Sequence, residues 1–216
     1  DGDTPADPIT DFTITGLNQS GTTIHNQPFT IGHLFQQGDV PAGYSVIAKI
    51  NAFPLPLQVD IKNQYDDGSL KYAVLSGKVP QVYGETDTVI TLYRTQVSES
   101  SAPVTLDQLL GSTFSAEVII NDGGSIYEAD ARDMLINQVP ETWLEGEVVS
   151  EWVVKAPLVN TTTSQDHPYL YAIFTIRAYS NLEPVRVDIT IENNWASFKF
   201  WEDTTGEQVP TNLTYE

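Results

Sequence analysis

The sequence predicts an all-β protein, and three observations carry that prediction. Segments in which apolar and polar residues alternate, the period of a half-buried strand, recur about ten times along the chain. Short clusters of turn residues separate them, among them Asp66-Asp67-Gly68-Ser69 and Asp122-Gly123-Gly124-Ser125. No stretch of helical length carries a helical period, and strands do not alternate with helices, which removes the nucleotide-binding α/β folds.

The elements follow in order. Residues 1–8 are a polar lead; Asp1, Asp3 and Asp7 lack the ligand spacing of an EF-hand loop and read as a floppy acidic terminus. Phe12–Leu17 reads as a first strand, and Thr22–His25 as a short return strand after a turn. His33–Gly43 holds Gly38, Pro41 and Gly43 and reads as a long shaped loop. Tyr44–Ala52 is a strand. Leu55, Leu57, Val59 and Ile61 then alternate with polar neighbours, Asp67-Gly68 reverses the chain, and Leu70, Tyr72, Val74 and Ser76 alternate again. This is a β-hairpin with a connection of about five to seven residues. Thr86–Arg94 is another strand.

Val97–Pro103 is Ser-rich, contains a proline and marks the boundary between an N-terminal domain, residues 1–98, and a second domain, residues 99–216. Thr105 followed by Gln108 has the spacing of a capping box and places a short helical turn over Thr105–Leu110. Phe114–Asn121 is a strand with a return over Ile126–Ala131. Asp130–Val139 fits a helix and a strand equally. Trp143–Val154 carries strand residues around Gly146, and Val159–Pro168 is a loop. Tyr169–Tyr179 and Pro184–Asn193 are the longest strand signals and form an antiparallel hairpin. Trp195–Trp201 and Val209–Tyr215 are further short strands.

Composition narrows the function classes. The 216 residues carry 29 acidic and 10 basic side chains, a formal net charge of −19 and a pI near 4.2. Residues 1–100 hold 11 acids against 5 bases, and the remainder 18 against 5. Such a surface repels nucleic acid, whose phosphates need a basic stripe, and repels anionic membranes. There is no cysteine, so disulfides, Cys-zinc sites and thiol catalysis are absent together. No apolar run is long enough to insert in a membrane as a helix. A first residue that is Asp, not Met, is expected of a processed chain or of a piece of a longer one.

Gln27–Gly43, Leu57-Gln58-Val59-Asp60 and Asp67–Ser76 together resemble the N-terminal domain of the PcRGLX/YetA-like family, whose type member is an exo-acting rhamnogalacturonan lyase. Trp143–Gly146, Ser150-Glu151-Trp152, Ile176–Tyr179 and Val185–Val187 are similar in outline to the domain that follows it. The resemblance implies a small RIFT-type β-barrel followed by an antiparallel β-sandwich, and related sequences occur in phages and prophages. The lyases continue into a helical toroid with which catalysis is associated, and nothing here resembles it. The resemblance therefore implies a scaffold and no catalytic residue.

The residues themselves offer few reactive constellations. His25, His33 and His167 are the only histidines, without an HExxH or His-x-His pair, so each reads as a loop or packing residue. No G-x-S-x-G elbow is present. Asp67 is expected to cap its own turn. Glu145, Glu147 and Glu151 would share one strand face, as a solvated acidic stripe or as a calcium-binding edge, and calcium is the one cofactor they suggest. Trp143, Trp152 and Trp195 are candidates for a sugar-stacking platform, with core packing as the plain account, as for Trp201. Asn18, Asn160 and Asn212 open N-glycosylation sequons.

The expectation is a non-enzymatic structural or attachment protein of a virion, in its tail or on its capsid surface, or of an extracellular assembly. Its expected partners are other protein subunits, copies of itself among them, and a cell-surface glycan. The alternative is a carbohydrate-binding or scaffold region of a polysaccharide lyase-like enzyme, for which a chain with 10 basic residues and no basic cluster offers little to an acidic sugar.

Overall fold

A computed structural model of the chain describes residues 7–16, 22–84, 86–97 and 101–194. The chain is all-β, built from several antiparallel sheets, one of them wrapped into a nearly closed barrel. It divides into two compact units. The first takes the chain up to Val104 together with Leu144–Ser150 and Tyr179–Asn181; the second takes Thr105–Trp143, Glu151–Ala178 and the chain from Leu182 on.

The first unit contains β1 (Pro8–Thr15), β2 (Ile24–Leu34), β3 (Tyr44–Ile50), β4 (Phe53–Leu55), β5 (Leu57–Gln64), β6 (Leu70–Val82) and β7 (Asp87–Gln96). They form two sheets, ordered β1-β7-β3-β4 and β2-β6-β5. Ile90 and Leu92 of β7, Val46 and Ala48 of β3 and Leu75 of β6 are buried in one core with Phe29 and Leu55. The expected hairpin is β5–β6, paired from Leu57–Gly77 to Gln64–Leu70, which leaves Tyr65–Ser69 as the connection. Gly68 takes φ of +79° there, a left-handed conformation that glycine adopts without a Cβ penalty.

Two local expectations change. The short return strand expected over Thr22–His25 is the start of a longer one: β2 runs from Ile24 to Leu34, because it pairs with β6 from Ile24–Val82 to Leu34–Tyr72; the shaped loop expected from His33 is correspondingly shorter. In β6, five consecutive residues from Ala73 to Gly77 are buried. One face meets the barrel core. On the other, Val74 packs with Leu144, Val148, Val149 and Tyr179, which belong to the same unit although they lie far along the chain. A strand covered on both faces loses its clean alternation.

The second unit contains α1 (Leu106–Gly111), β8 (Glu117–Asp122), β9 (Ser125–Asp130), α2 (Ala131–Asn137), β10 (Glu141–Leu144), β11 (Val149–Asn160), β12 (Asp166–Tyr179) and β13 (Val185–Asn193), the first residues of β11 and the last of β10 and β12 counting with the first unit. One sheet runs β13-β12-β11-β9-β8, with β10 also on β11. The predicted β12–β13 hairpin is present from Leu170–Asn193 to Ala178–Val185. Thr105 and Gln108 form both halves of the capping box on α1. The guanidinium of Arg132 donates to the carbonyls of Leu110, Ser112 and Phe114, satisfying backbone acceptors that the end of α1 leaves open.

Asp130–Val139 resolves as a helix. Asp130 accepts from the Asp133 amide as N-cap, and Ala131, Met134 and Leu135 bury one face at helical spacing. Trp143–Val154 is not one strand: β10 ends at Leu144 and β11 begins at Val149. No helix among the described residues is long and apolar enough to cross a membrane. The two C-terminal strands and the Asn18 and Asn212 sequons fall outside the described residues.

Candidate functional site

The residues that carry the family resemblance are engaged in the fold of the first unit. Gln58 is buried at 8% exposure and uses its whole amide. Its Oε1 accepts from the amides of Val148 (3.0 Å) and Val149 (2.9 Å). Its Nε2 donates to the carbonyl of Val149 (2.9 Å) and to Oδ2 of Asp60 (2.7 Å). The other oxygen of Asp60 accepts from the Glu145 amide at 3.1 Å. A Cβ on Gly146 would lie 2.2 Å from Cδ of Gln58, so glycine is what lets the Gln58 amide lie against this backbone. Burial raises the Asp60 carboxyl above the usual aspartate value, partly opposed by these hydrogen bonds.

The second signature is a turn lock. Oδ1 of Asp67 accepts from the amide and the hydroxyl of Ser69 (2.9 and 2.6 Å), and Oδ2 accepts from Nε2 of Gln37 at 2.8 Å. The Ser69 hydroxyl also accepts from the Gly38 amide (3.2 Å), and Leu70 donates to the carbonyl of Val40, so the turn holds the 35–43 loop. The Ser69 hydroxyl bond, the Gln37 bond and the Ser69 amide hold the Asp67 carboxyl below its usual value. A depressed carboxyl contributes stability above the unfolded value, lost as pH falls through the folded one. Asp67→Ala is therefore expected to lower the melting temperature at pH 6, and the gap to wild type to narrow as pH falls below the usual aspartate value. Thermal scans across that range measure it; a constant gap would show that the carboxylate plays no part.

His167 is similarly occupied. Nδ1 of His167 accepts from the amides of Tyr169 (3.1 Å) and Leu170 (2.9 Å), which leaves Nε2 to donate to Oδ2 of Asp122 at 3.2 Å. The ring is buried, with Tyr127 and Tyr169 edge-on at 4.6 and 6.2 Å. A His–Asp pair with both nitrogens committed holds a strand end and offers no lone pair to a substrate. His33 stacks edge-on with Phe35 at 4.6 Å, and burial lowers its pKa against the pull of Asp39. Asn160 accepts from the amides of Thr162 and Thr163 and closes the β11–β12 turn.

The predicted acidic stripe does not form. Glu145 and Glu147 lie in the connection between β10 and β11, while Glu151 lies within β11. The Glu147 carboxylate accepts from the Ser101 amide, and Glu151 is buried against Arg177 in an ion pair. The even spacing would place them on one face only in an unbroken strand, and the close approach at Gly146 breaks it. No group of three or more His, Asp or Glu side chains among the described residues is arranged to hold a metal ion. Of the tryptophans, Trp152 is 5% exposed and offers no open ring face to a sugar. Trp143 is half-exposed on β10, and Trp195 and Trp201 lie outside the described residues.

One concave feature of the second unit joins an apolar floor to a rim of carboxylates, and no sequence signal marks it. β11 is paired along one edge with β12. β11 also meets β9 at Val159–Glu128 and Asn160–Tyr127, and pairs with β10. Beside the β9 pairing, at Ala156-Pro157, a groove of about 330 Å³ opens between β9, β11 and α2. Pro157 has no amide hydrogen to leave unpaired in that gap. Ala129, Met134, Ala156 and Val159 supply apolar lining, and Glu128, Asp130, Asp133 and Asn137 supply a polar rim. Exposed apolar side chains lie on or next to the same elements. Val139 is 97% and Ile136 57% exposed at the end of α2, and Ile119, in register with Glu128, is 56% exposed.

Compared with known proteins, the chain matches no family model and no curated protein. The candidate site therefore rests on the groove and its surroundings.

Proposed function

We propose that the chain is a structural or attachment subunit of a virion surface, in tail or capsid, or of an extracellular assembly. The observation that carries this reading is the exposed apolar surface around the groove of the second unit. Ile119, Ile126, Ile136, Val139 and Val159 are open to solvent on a chain that is otherwise strongly acidic. Apolar side chains gathered beside a groove are what a protein partner covers. The signature residues Gln58, Asp60, Asp67 and Ser69 support the same reading, since a role as scaffold uses the hydrogen bonds they make. On this account the PcRGLX/YetA-like resemblance marks a shared barrel scaffold. Native mass spectrometry of the protein as isolated from its source tests it, with the chain expected in a complex of several subunits.

Trp143, half-exposed on β10, favours a second reading as a carbohydrate-binding module. A glycan array probed with the whole chain decides it: binding that Trp143→Ala abolishes supports this reading, and an array without signal removes it.

A further inference from the structure

We infer that the groove between β9, β11 and α2 receives an extended segment of a partner protein that carries lysine or arginine beside a small apolar side chain. The inference rests on the reading of the chain as an assembly subunit and names the chemistry of its partner. Glu128, Asp130 and Asp133 lie on the rim, and no lysine or arginine lines the groove. Among the described residues none of the three makes an ion pair, whereas Glu151, Asp188 and Glu192 each have a cationic partner. Asp130 gives one oxygen to the Asp133 amide and keeps the other. The rim thus presents anionic acceptors above an apolar floor of Met134, Ala156 and Val159.

The size selects the ligand. A volume of about 330 Å³ is at the small end of pockets that enclose a drug-sized molecule, roughly 300–1,000 Å³. It accommodates one or two side chains of a peptide, with the remaining contact made on the exposed apolar residues outside. A second copy of this chain meets it with the wrong charge, since 29 acids face 10 bases. Nucleic acid is repelled by the same rim. A basic–apolar segment of another protein satisfies both the carboxylates and the floor.

Met134 is the single methionine of the chain and lines the groove, so its methyl group is a site-specific reporter. The probe is an acetylated, amidated peptide in which lysine and valine alternate, added to the whole chain carrying a labelled Met134 methyl. Fluorescence anisotropy and the methyl resonance are followed together, with the matching glutamate–valine peptide as control. Binding is expected for the lysine peptide with a shifted methyl signal. Glu128→Gln with Asp133→Asn should weaken it about tenfold, while Asp11→Asn with Asp66→Asn, the same charge change elsewhere, should not. Binding that leaves the methyl signal in place, or that both double variants weaken equally, overturns the inference as general attraction to an acidic protein. Absence of binding also overturns it. A native complex of several subunits seen in that case would leave the assembly reading standing with another contact surface.

Discussion

Gln58→Met is expected to lower the unfolding free energy of the first unit by at least about 3 kcal/mol. The substitution keeps length and approximate volume but removes both donors and the acceptor. The amides of Val148 and Val149 and the carbonyl of Val149 lose their partner in a buried setting. Each such group costs about 1–3 kcal/mol when left unmade. Asp60 loses the Nε2 donor as well. Its carboxyl is already raised by burial, so its contribution is present below the usual aspartate value and lost as pH rises through the raised one. Without Gln58 that alkaline-side loss deepens. Gly146→Ala acts on the same node from the other side, since its Cβ cannot coexist with the amide where it stands. Urea unfolding of the whole chain near pH 5 and pH 7 reads both. A change below about 1 kcal/mol for Gln58→Met would show that Leu144–Ser150 is held by packing alone.

The second large effect lies in the sheet of the second unit. Arg177→Met should cost about 3–5 kcal/mol, because it strands the carboxylate of Glu151, 5% exposed, without its guanidinium. Replacing both members, Glu151→Leu with Arg177→Met, should recover most of that loss, since an apolar pair of similar size avoids the desolvation of two charges. A double-mutant cycle in urea gives the coupling. Equal losses for the single and double variants would mean that the side chains matter here through shape and not through charge.

How much of this was legible in the sequence follows from the range of each interaction. The β5–β6 and β12–β13 hairpins, the Asp67-Gly68 turn and the Thr105–Gln108 capping box are local, and their residues announce them. The ambiguity over Asp130–Val139 was real at the level of pattern, and the N-cap of Asp130 together with tertiary burial decided it. Gln58 was visible only as part of a motif. Its partners stand 90 and 91 residues away, and nothing near it in the chain indicates that its amide is buried. The Glu145, Glu147 and Glu151 stripe failed for the same reason, because the break at Gly146 is imposed by Gln58. The groove could not be read at all, since its walls, β9, α2 and β11, come together only in the fold.

The assembly account is tested most directly by the association state of the native protein. Native mass spectrometry of material isolated from its source should find this chain in a complex of several subunits, at a stoichiometry that is reproducible and survives dilution. Hydrogen exchange should then show the amides of β8, β9 and α2 protected relative to the free chain. A stable monomer in the native material, with those amides exchanging as they do in the free chain, would contradict the account.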